Sequence, residues 1–155
     1  MVYVGTSGYS YDDWVGPFYP EGLAKGGFLG FYAERFGCVE VNYTYYQMPT
    51  AATLRAMSAK TGPAFRFAVK APGDITHELG TDPALFRAFS DALQPLRDEG
   101  KLGCVLAQFP NSFYLTRDNV NYVRFLAEQM ADLPVVIELR HRKWTEDERT
   151  FGLLR

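Results

Sequence analysis

The sequence predicts an α/β protein organised around a parallel sheet. Five short apolar runs, Val2 to Ser7, Val39 to Asn42, Phe65 to Lys70, Val105 to Gln108 and Val135 to Arg140, alternate with stretches of helical period. Strand–helix alternation of this kind builds parallel sheets. Each run also ends in polar or charged residues, at the strand ends where parallel-sheet proteins place their sites. A length of 155 residues agrees with one domain over 1–155, with enough chain to bury a core.

The first helix is expected over about Lys25 to Phe36, with Leu29, Tyr32, Ala33 and Phe36 on one face and Gly37 as its left-handed terminator. A second follows Pro49-Thr50 and ends near Gly62. The third opens with Asp82 as N-cap and Pro83 at the first helical position, and turns Phe86, Phe89, Leu93 and Leu96 to the core. Pro95 should end or kink it. The fourth starts near Thr116 and carries Val120, Val123, Leu126 and Met130; the fifth opens on Thr145-Glu-Asp-Glu148, a capping box, with Phe151 and Leu154 as its stripe.

Five strand–helix units, the last incomplete, fall short of a closed (β/α)₈ barrel, which takes about 250 residues. An open doubly wound sheet is the other α/β arrangement that five strands satisfy. Its nucleotide fingerprint is missing, because Gly5-Thr-Ser-Gly8 leads into Tyr9-Ser-Tyr-Asp-Asp-Trp14 and not into a helix able to hold a phosphate.

Composition removes several function classes. Hydrophobic residues make up 47% and charged residues 22%, which is globular and not disordered. A net charge of −2, from 16 basic and 18 acidic residues, gives no general pull toward nucleic acid or an anionic membrane. No apolar run approaches the roughly 20 residues of a membrane span. The chain opens at Met1 straight into a strand with no signal-like segment, so a cytoplasmic location is expected. Cys38 and Cys104 lack the spacing of a zinc or disulfide framework and read as small buried thiols.

Strand side chains alternate faces, so parity sorts each run. Glu40, Asn42 and Thr44 oppose Val39, Val41 and Tyr43; Arg66, Ala68 and Lys70 oppose Phe65, Phe67 and Val69. Cys104, Leu106 and Gln108 oppose Val105, Ala107 and Phe109; Val136, Glu138 and Arg140 oppose Ile137 and Leu139. Helices cover the outside of a barrel, so the apolar set should face them and the polar set the axis. Buried charges must pair or meet a ligand. A plain structural network, Lys70 with Glu40 and Arg140 with Glu138, is one way to satisfy them.

Several of these segments together resemble the YecE-like proteins, known as domain of unknown function 72. They are Val4-Gly-Thr-Ser-Gly-Tyr-Ser-Tyr11 with Trp14 and Phe18-Tyr-Pro20; Phe31-Tyr-Ala33 with Val39-Glu-Val-Asn42 and Tyr46; Phe67-Ala-Val-Lys70 with Ile75-Thr-His77; Leu106-Ala-Gln-Phe-Pro110 with Ser112-Phe113; and Glu138-Leu-Arg-His141 with Trp144. They span nearly the whole chain. The resemblance implies a TIM-type (β/α)₈ barrel, here cut to about five β/α units with strands six to eight missing, and it implies no established activity or cofactor.

Lys70, Arg140 and Gln108 form an anion-recognition set: a point charge, a planar fork and an orienting amide. With Glu40, Asn42, Glu138, His77 and His141 they are the candidate ligand residues, and Tyr9, Trp14, Tyr46 and Trp144 the candidate aromatic mouth. The first expectation is therefore a small-molecule site, enzymatic or not, for an anionic and ring-bearing ligand.

A metal-dependent phosphoesterase or nucleic-acid-processing barrel is the alternative, with the two histidines as donors. Glu138 and His141, three apart on a strand, point to opposite faces, so no metal set is assigned. Glu40 and Glu138 as a glycosidase-like pair are weakened by the cations beside them, which would keep both ionised. Ser7 and Ser112 have no evident His–Asp partners, and no motif identifies a cofactor. A non-enzymatic remnant with a merely structural interior is the third expectation. In that or any five-unit form, the apolar edge strands should drive association with a complementary fragment or another copy.

Overall fold

The computed structural model describes residues 2–146 and 150–153. Five parallel strands, β1 (Gly5–Ser7), β2 (Cys38–Val41), β3 (Arg66–Lys70), β4 (Leu102–Phe109) and β5 (Val135–Leu139), lie in the order β1-β2-β3-β4-β5. The order never reverses. A doubly wound sheet requires such a reversal, so that alternative is set aside. Among the described residues β1 and β5 are not hydrogen-bonded to each other, and the sheet is open.

Between the strands run the helices α1 (Phe28–Ala33), α2 (Ala51–Ser58), α3 (Gly73–Thr76), α4 (Pro83–Asp98) and α5 (Arg117–Gln129), followed by α6 (Lys143–Glu146) and α7 (Thr150–Leu153). Three N-caps work through side chains. Thr50 accepts from the Thr53 amide, Asp82 from that of Ala84, with Pro83 behind it, and Thr116 from that of Asn119. The apolar faces of α4 and α5 are buried as their periodicity requires, through Phe86, Phe89, Leu93 and Leu96 and through Val120, Val123 and Leu126.

The element boundaries depart from expectation at five points. The first strand is shorter than the apolar run: Val2 and Val4 are 90% and 66% exposed, and the strand covers Gly5–Ser7, with the Val4 carbonyl accepting from the Gly37 amide just ahead of it. Close approach fixes where pairing starts: a methyl group on Gly5 would stand 2.1 Å from the Cys38 carbonyl oxygen. The first helix is also short. Lys25–Gly27 form only a 3₁₀ turn, as two glycines disfavour the α-helix, and α1 stops at Ala33 with Gly37 outside the left-handed region. The second helix ends at Ser58, ahead of Gly62.

Pro95 does not end α4, which runs on to Asp98; the proline lies in the last turn with its ring buried. Finally, α6 starts at Lys143, so Thr145 sits within it, and its hydroxyl donates back to the Arg142 carbonyl at 2.9 Å. Asp147 and Glu148 of the expected capping box, and Leu154, lie outside the described residues.

Parity decides the layering. Val39, Val41, Phe67, Val69, Val105, Ala107 and Phe109 are all at most 3% exposed on the convex face, packed under the helices. The concave face carries Cys38, Glu40, Ala68, Lys70, Cys104 and Leu106, all half-buried, and Val136, 50% exposed. Both cysteines are free and belong to the floor of this face, not to the core, and burial pushes both thiols up. Phe67→Ala should therefore cost about 3–5 kcal/mol in urea unfolding, and Val136→Ala less than about 0.5 kcal/mol. The reverse ranking would mean the buried face is misassigned.

Candidate functional site

Each strand delivers one or two polar groups to the same rim. Ser7 ends β1 opposite Glu40, Asn42 follows β2, Lys70 ends β3, Gln108 and Glu138 are register partners on β4 and β5, and Arg140 follows β5. The two-residue repeat puts these side chains on the concave side, with Ser7 and Glu40 level with Ala68, Lys70 level with Leu106 and Val136, and Gln108 and Glu138 two residues further along.

They form two hydrogen-bonded strings. In the first, Lys70 Nζ donates to Gln108 Oε1 at 2.7 Å, Gln108 Nε2 donates to Glu138 Oε2 at 2.7 Å, and Arg140 Nε donates to Glu138 Oε1 at 2.8 Å. The expected Arg140–Glu138 ion pair is thus present. Lys70 goes to Gln108 and not to Glu40. In the second string, Asn42 Nδ2 donates to Ser7 Oγ at 2.7 Å and Ser7 Oγ donates to Glu40 Oε1 at 2.7 Å. Glu40 accepts a hydroxyl at Oε1, and Lys70 turns toward β4.

The strings border a cavity of about 440 Å³ lined by Ser7, Glu40, Asn42, Tyr45, Tyr46, Lys70, His77, Gln108 and Arg140. Its chemistry is uneven. Lys70 and Arg140 face one side with His77, which follows α3; Glu40 and the amide of Asn42 face the other. Desolvation, then the charges of Lys70 and Arg140, hold His77 below its ordinary value despite the opposing pull of Glu78. The hydrogen bond from Arg140, with that from Gln108 and the fields of both cations, outweighs desolvation and holds the Glu138 carboxyl low. An acid kept ionised in this way is unsuited to donating a proton, so Glu138 fits an orienting role and not a general-acid one.

Of the expected aromatic mouth only Tyr46 lines this cavity, 86% exposed and set edge-on against Tyr45, which also lies edge-on to His77 at 4.8 Å. Tyr9 lines a smaller neighbouring cavity. Trp14 packs away from both, in a cluster with Tyr11, Phe18 and Tyr19. Trp144 is 1% exposed, stacked on Phe113, with its indole N–H donating to the Phe113 carbonyl at 2.7 Å; it is core.

His141 also falls outside the cavity lining, its ring edge-on to Tyr114 at 4.6 Å and its Nδ1 accepting from the Lys143 amide. Thr44 leaves the concave face because Tyr43–Tyr45 turn as a 3₁₀ helix; its hydroxyl caps the Val41 and Lys70 carbonyls. Arg66 lies at the floor, as expected. Sequence reading did not count Ser7 and Tyr45 as site residues. Ser7 was visible as the last residue of its run on the inward parity, whereas Tyr45 is placed by a turn that periodicity does not announce.

Among the described residues no group of three or more His, Cys, Asp or Glu side chains is placed to hold a metal ion. No helix is long and apolar enough to cross a membrane.

The sequence profile of the family described as "Protein of unknown function DUF72" matches residues 3–155. The UPF0759 protein YunF of Bacillus subtilis is 33% identical over 150 residues, covering 93% of this chain and 52% of that protein. The UPF0759 protein YecE of Escherichia coli K12 is 28% identical over 157 residues, covering 98% and 54%. Among solved structures, a DUF72 family protein from Thermotoga maritima superposes with a TM-score of 0.84 at 40% identity, over 99% of this chain and 61% of that one. Another from Enterococcus faecalis V583 gives a TM-score of 0.83 at 25% identity, over 98% and 55%. The chain spans about half the length of the curated relatives it matches.

The low Glu138 carboxyl has a measurable consequence. Its folded-state value lies below the unfolded one, so its contribution to stability is present above the unfolded value and is lost as pH falls through the folded one. With the side chain 42% exposed, solvent screens the pair to less than about 1 kcal/mol. Carboxyl NMR should show Glu138 titrating higher in Arg140→Met than in the native chain. An unmoved titration would remove Arg140 as the cause.

Proposed function

The chain belongs to the DUF72 family of proteins of unknown function, and we propose that it is a single TIM-type barrel domain in part, binding an anionic small molecule at the carboxyl ends of its strands. The ligand class is a phosphate or carboxylate on a ring-bearing body. The observation that carries this reading is the convergence of Lys70, His77 and Arg140 on one cavity of about 440 Å³. Lys70 spends one donor on Gln108, and among the described residues Arg140 spends only its Nε, on Glu138. The remaining ammonium protons and the two guanidinium amino groups stay available to an anion. Gln108 and Glu138 fix the two cations in place, and Tyr45, 5.1 Å from Lys70 Nζ, offers a ring face beside them.

The competing account is a network that only holds the strand ends together, favoured by the unbroken string from Lys70 to Arg140. The two accounts part on ligand response. Sulfate or phosphate at about 100 times its Kd should stabilise the chain by about 2.7 kcal/mol, and Lys70→Met or Arg140→Met should abolish that shift. No shift in the native chain, or a shift surviving in both variants, favours the structural network and rejects the anion site.

His77 adds a pH dependence of known sign. The cations that hold it low are the groups an anion would neutralise, so binding should lift His77 and draw a proton onto it. Affinity for sulfate, which stays dianionic throughout, should rise as pH falls. The gain begins at the anion-bound value of His77 and is complete below its lower, anion-free value. His77→Gln should flatten the profile. A flat profile in the native chain would show that His77 does not take part.

We further propose that the 155-residue chain associates through its open flanks. The support is the unpaired outer side of β5 and the exposed Val2 and Val4 beside β1. Light scattering should find a species larger than a monomer; a monodisperse monomer at high concentration would contradict it.

A further inference from the structure

A second cavity, of about 200 Å³, opens next to the first. Its walls are Tyr9, Tyr11 and Tyr43 with Met57 at the back, and Glu40 and Asn42 line both cavities. The slot is built by a tight turn after β1. Gly8 takes φ +84, and a methyl group there would stand 2.5 Å from the Tyr11 hydroxyl, which donates to the Ser7 carbonyl. Only glycine allows Tyr11 to fold back in this way. The Tyr19 hydroxyl donates to the Tyr9 carbonyl and ties the other side of the turn to the core.

The shared wall is acceptor-rich. Ser7 occupies Glu40 Oε1 and the amide nitrogen of Asn42, which leaves Glu40 Oε2 and Asn42 Oδ1 without partners among the described residues. A ligand meeting them must present hydroxyl or N–H donors. The slot also has a size. A cavity of about 150 Å³ holds one six-membered ring, so about 200 Å³ has room for a single ring. Tyrosine faces pack against the C–H face of a sugar as readily as against an aromatic ring.

On the anion-site reading given above, we propose that the tyrosine slot is a monosaccharide subsite, and that the two cavities together take a sugar phosphate. The ring lies between Tyr9 and Tyr43 with its hydroxyls on Glu40 and Asn42, and the phosphate lies across that wall against Lys70, His77 and Arg140. A polyol ring satisfies the acceptors, its single ring fits the slot, and its charged end matches the cations. Each half of the ligand is selected by a different cavity.

Calorimetric titration of the 155-residue chain with inorganic phosphate, ribose 5-phosphate, glucose 6-phosphate and adenosine monophosphate tests this. The tighter of the two sugar phosphates should bind at least tenfold more tightly than inorganic phosphate. That ratio should collapse toward one in Tyr43→Ala, which strips a half-exposed ring, and in Ser10→Trp, which fills the slot from its exposed rim. Retention of the native unfolding transition in either variant makes its titration decisive. Phosphate binding with no gain from the sugar, or a gain unchanged in both variants, overturns the sugar subsite while leaving the anion site standing. Adenosine monophosphate binding more tightly than either sugar phosphate overturns the single-ring assignment. Absence of binding by phosphate and sugar phosphates alike overturns both readings.

Discussion

Gln108 is the residue on which the rim depends. At 8% exposure its amide has both ends used, the oxygen by Lys70 and the nitrogen by Glu138, so one neutral side chain sets the spacing of a cation and an anion on the flanking strands. A charge in its place would repel one neighbour, and an apolar group would leave Lys70 without its acceptor and Glu138 with Arg140 alone. The register pairing of Gln108 with Glu138 makes this possible, because residues level with each other on adjacent parallel strands present side chains to the same face. Arg140 joins the same string through Glu138, the acceptor that the buried amide holds.

The electrostatics inherit the same asymmetry. Gln108 and Arg140 consume the charge of Glu138, whereas the charges of Lys70 and Arg140 are only partly consumed and extend to His77. On the opposite side Ser7 engages Glu40, and Asn42 engages Ser7, without any cation. The rim is therefore polarised across its width, cationic over β3 and β5 and anionic over β2. Few ligands suit both sides unless they carry an anion at one end and donors at the other. On the proposed anion-site reading, that constraint, more than the count of charges, would select the ligand.

The layering and most of the rim were legible in the sequence because a strand alternates with period two. Parity alone put Glu40, Lys70, Gln108 and Glu138 on one face and Val39, Phe67, Val69, Val105 and Phe109 on the other. Parity fails where the strand stops. Thr44 keeps the right parity but lies beyond Val41 in a 3₁₀ turn, which buries it under the rim and swings Tyr45 into the cavity. The pairing of Lys70 is illegible for a different reason: charge suggests Glu40 on one flanking strand, whereas the ammonium donates to the neutral amide of Gln108 on the other. Loop aromatics were the least legible, since a tryptophan at a strand end looks alike whether it lines a mouth or fills the space behind it.

Those hidden aromatics still serve the site, from behind. Trp144 locks the segment after β5 to the Phe113 loop through its indole N–H, and Phe113 in turn stacks on Phe109 of β4 at 4.2 Å. Tyr122 on α5 donates to the Ile75 and Gly80 carbonyls at 2.6 and 3.0 Å, gripping the segment that carries His77 from both sides; burial pushes its hydroxyl up to about 12, so it remains a donor. Arg140 and His77 thus sit on short connections whose ends are fixed by buried hydrogen bonds, not on free loops. The cationic side of the rim is pre-organised by the core, whereas Tyr46, 86% exposed with only Tyr45 against it, is the part of the wall with least to hold it. On the proposed anion-site reading, a ligand arriving at this rim would find its charge partners already in position and would have mainly that ring to order, which keeps the entropic cost of binding low on the cationic side.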